Sequence, residues 1–239
     1  MSPKREDASA GSSEFDSYAD SYSEALRSGL SVTGRPQEYY AEQRIRLLAR
    51  RVAQTRRQID RVLDFGCGQG ASTPLLQSEL GARSAVGADV SEALLQVARR
   101  KNASADVTYV PLSSLTANQP FDCVYMNGVL HHIPPGERRD TLAKIFDVVK
   151  PGGLFALWEN NPWNPGTRYI MKRIPFDRDA VTLTIPESQA LLTETGFSLL
   201  STDSLFFFPR FLNFLSGFEK ALSRTQLGGQ YMVLCERKR

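Results

Sequence analysis

Histidine is nearly missing from this chain of 239 residues: there are two, adjacent at positions 131 and 132. Cysteine is scarce as well, with three residues, Cys67, Cys123 and Cys235, far apart and each set in an apolar run. An odd number at such spacing excludes a disulfide framework, and no Cys/His spacing typical of a metal cluster is present, so these are read as reduced core thiols. No apolar run is long enough to span a bilayer, which predicts no stable membrane insertion. The stretch from Met1 to Ser13 is polar and rich in Ser and Ala, without the apolar segment of an export signal, and reads as a disordered tail of a cytoplasmic protein. Charge of one sign is also lacking: the net charge is +3, with acids and bases interspersed. That excludes a nucleic-acid footprint, and clusters such as Arg56-Arg57 and Arg99-Arg100-Lys101 fall at helix ends, where cations suit the dipole. No internal repeat is visible.

What is present is ordinary globular material, 41% hydrophobic and 23% charged, enough for one good core. Two helical stretches come first, about 15–28 and 37–53, the first with Phe15, Tyr18 and Tyr22 on one face. Strand and helix then alternate: strands at 62–65, 84–88, 107–110, 122–126 and 154–158, helices at 72–80, 91–100 and 136–149. Such alternation implies parallel strands joined by right-handed crossovers, hence a doubly wound α/β sheet. Pro151-Gly152-Gly153 is read as the stop of the helix before it. After Trp158 comes an Asn-, Pro- and Arg-rich stretch, read as a long loop or lid. A helix (188–195), a strand (197–206), an aromatic helical segment (211–222) and a last strand (230–237) follow. The predicted division is a tail over 1–14, a helical cap over 15–56, and a domain over 57–239 with its lid near 159–185.

The chemistry concentrates in Val62-Leu63-Asp64-Phe65-Gly66-Cys67-Gly68-Gln69-Gly70. An acid at the tip of a buried strand has no packing reason to be there. The glycines after it let the backbone turn tightly and approach a small molecule, with the next helix's amides aimed at it. Gly66-x-Gly68-x-x-Ala71, with Asp89 at the end of the second strand, is shared by dinucleotide and S-adenosylmethionine sites. Three further features separate them: Asp64 itself, the Phe121-Asp122 pair opening a strand that runs into Asn127-Gly128-Val129-Leu130-His131-His132, and Lys150-Pro151-Gly152-Gly153 before the next strand. With these the sequence resembles the class I S-adenosylmethionine-dependent methyltransferases of the small-molecule type, most specifically between Arg61 and Glu159.

The resemblance implies a Rossmann-like, mostly parallel sheet of seven strands, the last inserted antiparallel between the fifth and sixth, with an N-terminal helical cap and a lid insertion. It implies S-adenosylmethionine as cofactor. Asp64 and the backbone of Gly66, Cys67, Gly68 and Gly70 would line its methionine end, and Asp89 would accept the ribose hydroxyls. As an N-cap for the following helix, Ser91 serves better than Asp89. Val90 would flank the adenine, and Asn127 would offer a backbone contact. The family's acid near the adenine amino group is missing here, leaving the Leu112/Ser113 backbone or the Ser113 hydroxyl. Tyr18 or Tyr22 either covers the sulfonium end or packs the cap onto the sheet. Arg44 either reaches the methionine carboxylate or lies on a solvated helix face.

For the reaction, His132 is favoured as a base or substrate partner, with His131 beside it. The alternative is that the pair merely holds its loop. Glu159, at a parallel-strand terminus, is a third candidate, or else caps the loop at Asn160 and Asn161. No metal site is apparent. Arg168, Lys172, Arg173 and Arg178 in the lid either receive an acidic group of the substrate or pair with Asp177 and Asp179. Phe206 to Phe218 is read as an acceptor pocket, a dimer patch, a membrane-touching surface or plain packing. The expected activity is methyl transfer to a small-molecule acceptor, most simply at oxygen, in secondary or sugar metabolism, by a monomer or homodimer. Nitrogen or carbon acceptors, a non-catalytic cofactor-binding module and a dinucleotide-dependent oxidoreductase are the competing readings.

Overall fold

The computed structural model describes residues 22–208, 222 and 225–238, with the backbone alone for Tyr22 and Ser23. The expected tail over 1–14, Phe15 and Tyr18, the Tyr22 side chain and most of the aromatic helical segment lie outside the described residues. Two helices lead in, α1 (Tyr22–Leu30) and α2 (Gln37–Thr55). The alternating part follows as β1 (Arg61–Phe65), α3 (Thr73–Leu80), β2 (Ser84–Asp89), α4 (Glu92–Asn102), β3 (Val107–Pro111), β4 (Phe121–Asn127), α5 (Arg138–Val148) and β5 (Val149–Asn160). The chain closes with α6 (Pro165–Met171), α7 (Ile185–Glu194), β6 (Phe197–Leu205) and β7 (Gln230–Arg237).

Among the described residues seven strands form one sheet in the order β3-β2-β1-β4-β5-β7-β6. The pairs β1–β2, β1–β4, β2–β3 and β4–β5 are parallel, while β7 runs antiparallel to both β5 and β6. This is the doubly wound arrangement expected, with the last strand in the expected slot. Strand order reverses between β1 and β4, so a crevice opens beyond their carboxyl ends. Both faces of the sheet are covered: one core cluster joins Ile45, Leu48 and Val52 of α2 to Tyr125 and Trp158, and the other joins Leu63, Met126 and Phe155 to Leu142 and Ile145 of α5. Among the described residues no helix is long and apolar enough to cross a membrane.

Two sequence signals have their explanation at the other end of the sheet. Asp122 accepts the amide protons of Asp60 and Arg61, at 3.0 and 2.8 Å, and Lys150 donates to its second oxygen at 2.6 Å. These bonds outweigh partial burial and hold Asp122 below the usual carboxylate range. The Phe-Asp and Lys-Pro-Gly-Gly motifs therefore lock β1, β4 and β5 together. Pro151-Gly152-Gly153 is not the helix stop it was read as. α5 ends at Val148, and the turn lies inside β5, which already pairs at Val149.

The lid is more structured than a loop. It carries α6, capped by Asn164, whose side chain accepts from Thr167 N at 3.1 Å. Asn161 Nδ2 donates to the carbonyls of Gln226 and Gly228, both at 2.8 Å, and Asn164 Nδ2 donates to Leu227 O at 2.9 Å. The asparagines after β5 thus tie the lid to the turn before β7. A capping box, Thr184 with Glu187, starts α7 three residues earlier than its apolar pattern indicates.

Candidate active site

The loop after β1 is shaped by its glycines. Gly66 N and Cys67 N both donate to Ala88 O, at 2.7 and 3.1 Å, folding the loop over the end of β2. Gly66 has φ +75°, and an added Cβ would lie 2.3 Å from Val129 Cγ2; Gly70 has φ +76°, and its Cβ would fall 2.5 Å from the Tyr109 ring. A side chain at either place meets backbone strain and a clash together. Tyr109 clamps the loop from outside by donating to Gly70 O at 2.9 Å, and Asn102 Nδ2 donates to Gln69 O at the same distance.

Both expected acids stand at strand ends beside this loop, Asp64 in β1 and Asp89 closing β2. Asp64 is 3% exposed and accepts a hydrogen bond from Thr73 Oγ1 at 2.7 Å. Burial raises its pKa to about 7, against the Thr73 bond and with the charge of Asp89 adding to the rise. Asp89 accepts Gly68 N at 2.8 Å on one oxygen and Ser91 N at 2.9 Å on the other. These bonds tie the carboxylate into the backbone of the loop and of the α4 start. Ser91 caps α4, its hydroxyl accepting from Leu94 N at 3.2 Å, as the sequence indicated.

Two cavities open over the carboxyl ends of the strands. The smaller, about 810 Å³, is lined by Asp89, Val90, Leu94, Leu112, Ser113 and Leu115. Val90 is 62% exposed there, an apolar face uncovered by the protein itself. The larger, about 1220 Å³, takes in Asp64, Cys67 and Arg44 and runs beneath α1, α2 and the lid. Gly66, Asn127, Gly128 and His132 line both. Asn127 Oδ1 is buried, and among the described residues it has no hydrogen-bond partner. Burial drives the Cys67 thiol far above its ordinary pKa, so it packs rather than reacts.

The solvated-face reading of Arg44 is overturned. Its side chain is buried, donating from Nε to Tyr125 Oη at 3.2 Å and from NH1 to Gln230 Oε1 at 2.9 Å. The apolar stripe of α2 faces the sheet, and Arg44 shares that face beside Ile45 and Leu48. The aromatic side of the large cavity is built from Tyr39, Tyr40, Phe176 and Phe206 to Phe208. Phe206 packs edge-on against Tyr40, with ring centres 4.8 Å apart.

The histidines meet acids from two directions. His131 is 2% exposed, and its Nδ1 lies 2.5 Å from Glu159 Oε2, while the other Glu159 oxygen accepts Leu130 N at 2.9 Å. From the lid, Asp177 Oδ1 stands 3.2 Å from His132 Nε2 and 3.7 Å from His131 Nε2. Burial alone would push the His131 pKa down, but Glu159 and Asp177 outweigh it and raise the value to about 10. Burial would likewise raise Asp177, and the two imidazoles reverse this and hold it below the usual carboxylate range. Among the described residues, Asp177 pairs with the histidines and not with the lid's arginines, the pairing the sequence reading allowed. The sequence offers no signal for its true partners, because the lid path alone carries it to the histidines. Thr73 and Tyr109 were also missed, each looking like ordinary helix and strand material.

The residues present fit S-adenosylmethionine. A loop without room for a Cβ, amides and an acid at its rim, a second acid beside an apolar slot, and the unpartnered Asn127 Oδ1 together make a cradle for an amino-acid end and a nucleoside end. Glu159 itself, 1% exposed, lies behind His131 and does not line either cavity.

Residues 62–153 match the model of a methyltransferase domain family. Among curated proteins, trans-aconitate 2-methyltransferase of Rhizobium rhizogenes is 30% identical over 100 residues, 42% of this chain and 38% of that protein. The enzyme of the same name from Variovorax paradoxus is 30% identical over 115 residues, 48% of this chain and 44% of that protein. The match therefore spans less than half the length of these relatives. Among solved structures, magnesium protoporphyrin IX methyltransferase from Synechocystis, with S-adenosylhomocysteine bound, superposes with a TM-score of 0.63 at 17% identity, over 93% of this chain and 97% of that one. An S-adenosylmethionine-dependent methyltransferase from Mesorhizobium loti gives 0.56 at 20% identity, over 75% and 91%. Sheet order, glycine cradle and paired acids agree with these matches: residues 62–153 resemble a methyltransferase domain, and the chain has the fold of the S-adenosylmethionine-dependent methyltransferases.

Proposed function

We propose that this protein transfers a methyl group from S-adenosylmethionine to an oxygen of a small acceptor with an apolar, aromatic-sized body. The observation that carries this reading is the meeting of two cavities at Gly66, Asn127, Gly128 and His132. In it, Asp89, Val90, Leu112 and Ser113 hold the nucleoside, and Asp64 with the amides of Gly66, Cys67, Gly68 and Gly70 holds the methionine end. Asn127 stands at the boundary, Arg44 braces Tyr125 and Gln230 beside it, and Tyr22 belongs to the cap. When bound, the cofactor supplies a methyl group on a sulfonium, an excellent leaving group.

What remains for the chain is alignment and the acceptor's proton. The large cavity holds the acceptor against aromatic walls, and the cap and lid keep water away. The proton of its hydroxyl is discharged at His132, which touches the boundary between the cavities, with His131, Glu159 and Asp177 fixing its surroundings.

The walls argue for an acceptor unlike the polyacid named in the relatives. Recognition of several carboxylates needs guanidinium forks turned toward the ligand. Here Arg35 lies over the Tyr39 ring at 4.4 Å, and Arg44 is engaged with Tyr125 and Gln230. The test is methyl transfer from labelled cofactor to a panel of phenols and apolar alcohols, with trans-aconitate alongside. Turnover of phenolic or alcoholic acceptors and none of trans-aconitate is expected; turnover of trans-aconitate alone contradicts this reading of the acceptor.

A further inference from the structure

We propose that His131, His132 and Asp177 hold a divalent transition-metal ion of the zinc class, with its open position facing the acceptor cavity. The inference rests on the reading of the large cavity as the acceptor's chamber and deepens it. It reverses the sequence expectation of no metal site, which had no way to see that the lid delivers a carboxylate to the histidine pair.

The distances come first. A charge-assisted bond between an imidazole nitrogen and a carboxylate oxygen is about 2.7–2.9 Å long. Asp177 Oδ1 instead stands 3.2 and 3.7 Å from the two Nε2 atoms. Ligands about 2.0–2.2 Å from a tetrahedral zinc ion are separated by about 3.3–3.6 Å, the length of the tetrahedron's edge. The two separations straddle that edge, and all three donor groups lie within 4.8 Å of one another.

The orientation of His131 is the second observation. Its ring is 2% exposed, and Nε2 has no hydrogen-bond partner among the described residues. Glu159 holds the opposite nitrogen at 2.5 Å and is itself fixed by Leu130 N. A carboxylate behind a histidine, turning its free nitrogen inward, is the usual support of a metal-ligating imidazole. Charge is compatible: the Glu159 and Asp177 carboxylates facing the imidazoles favour positive charge between them, and a dication competes for that place with a proton on His131. Two imidazoles with one carboxylate select zinc, cobalt, nickel or iron over magnesium or calcium, which prefer all-oxygen sets.

All three ligands line the large cavity next to Asn127 and Gly128, at the boundary where the acceptor's nucleophile must sit. An ion there would bind the acceptor oxygen and lower its pKa, the O–H bond breaking with its proton passing to water. His132 would then act as a ligand in place of a free base.

The experiment uses the full chain, stripped with a chelator and dialysed, and titrated with Zn²⁺ by calorimetry and with Co²⁺ by visible absorption. The variants are Asp177→Ala and, as a conservative control behind the site, Glu159→Gln. Loss of an outer support costs about 10–100-fold in metal affinity, and loss of a ligand should exceed it. The expected result is one ion per chain, tetrahedral-type Co²⁺ bands, an affinity reduced by ~100-fold or more in Asp177→Ala, and a smaller loss in Glu159→Gln. S-adenosylhomocysteine binding in each protein verifies folding and reports separately on the cofactor site. Absence of binding, or equal affinity in wild type and Asp177→Ala, overturns the metal site while leaving the methyltransferase reading intact.

Discussion

Asp64 is a group the folded protein holds at a cost, and replacing it should separate stability from binding. Its carboxyl is moved from the usual 3.8 to about 7, chiefly by burial. The folded-state value lies above the unfolded one, so the stability this group contributes is fully present below about pH 4. It is lost as pH rises through about 7. Across that window the ionised form comes to cost about 4 kcal/mol relative to the acid. Asp64→Asn removes the charge yet keeps an oxygen for the Thr73 hydroxyl, now 2.7 Å away. At pH 8 the variant should therefore unfold about 1–4 kcal/mol later than wild type, roughly 2–10 °C in Tm. Below pH 4 that advantage should vanish. Binding should move the other way. A charge-assisted hydrogen bond contributes about 1.5–3 kcal/mol, so S-adenosylhomocysteine should bind about 10–150-fold more weakly. Denaturant unfolding from pH 4 to 8 and calorimetric titration at pH 8 measure both. A variant less stable than wild type at pH 8, with cofactor affinity unchanged, would refute the assignment.

Gly66→Ala forces a side chain into left-handed backbone and onto Val129, a combined cost of about 2–5 kcal/mol read by denaturant unfolding. Adding Val129→Ala should recover part of that cost, because the clash disappears while the backbone strain stays. Asp89→Ala strands Gly68 N and Ser91 N, so it should destabilise by about 1–3 kcal/mol and abolish cofactor binding in the same protein. Asp122→Ala breaks the Lys150 pair and two amide bonds at the far end of the sheet, costing about 1.5–3 kcal/mol. Its S-adenosylhomocysteine affinity should stay within about 2-fold of wild type, since distant sites act independently; a larger loss would mean the two ends of the sheet are coupled.

Much of the sheet was legible because each strand is a short apolar run punctuated by glycine, proline or an acid. The slot of β7 came from family resemblance, since strand order is a tertiary fact with no local signature. Asp64, Asp89 and the glycines were legible for a related reason: an acid on a buried strand tip, or a glycine where a helix begins, violates local packing rules and so marks a site. Arg44 was misread because charge on α2 suggested solvent, whereas its neighbours Ile45 and Leu48 fix that face against the sheet. Asp177 was out of reach of any local rule. It looks like one charge among several in a basic stretch, and only the path of the lid brings it to His132. Thr184 and Glu187 were a readable capping box whose significance was overlooked in favour of apolar spacing.

The central claim is that the cradle between β1 and β2 takes the sulfur cofactor, and calorimetric titration tests it directly. S-adenosylmethionine, S-adenosylhomocysteine and NAD⁺ are each titrated into the wild-type chain and into Asp89→Ala. Binding of both sulfur ligands, lost in the variant, with no heat from NAD⁺, is the predicted result. Binding of NAD⁺ with neither sulfur ligand would contradict the account.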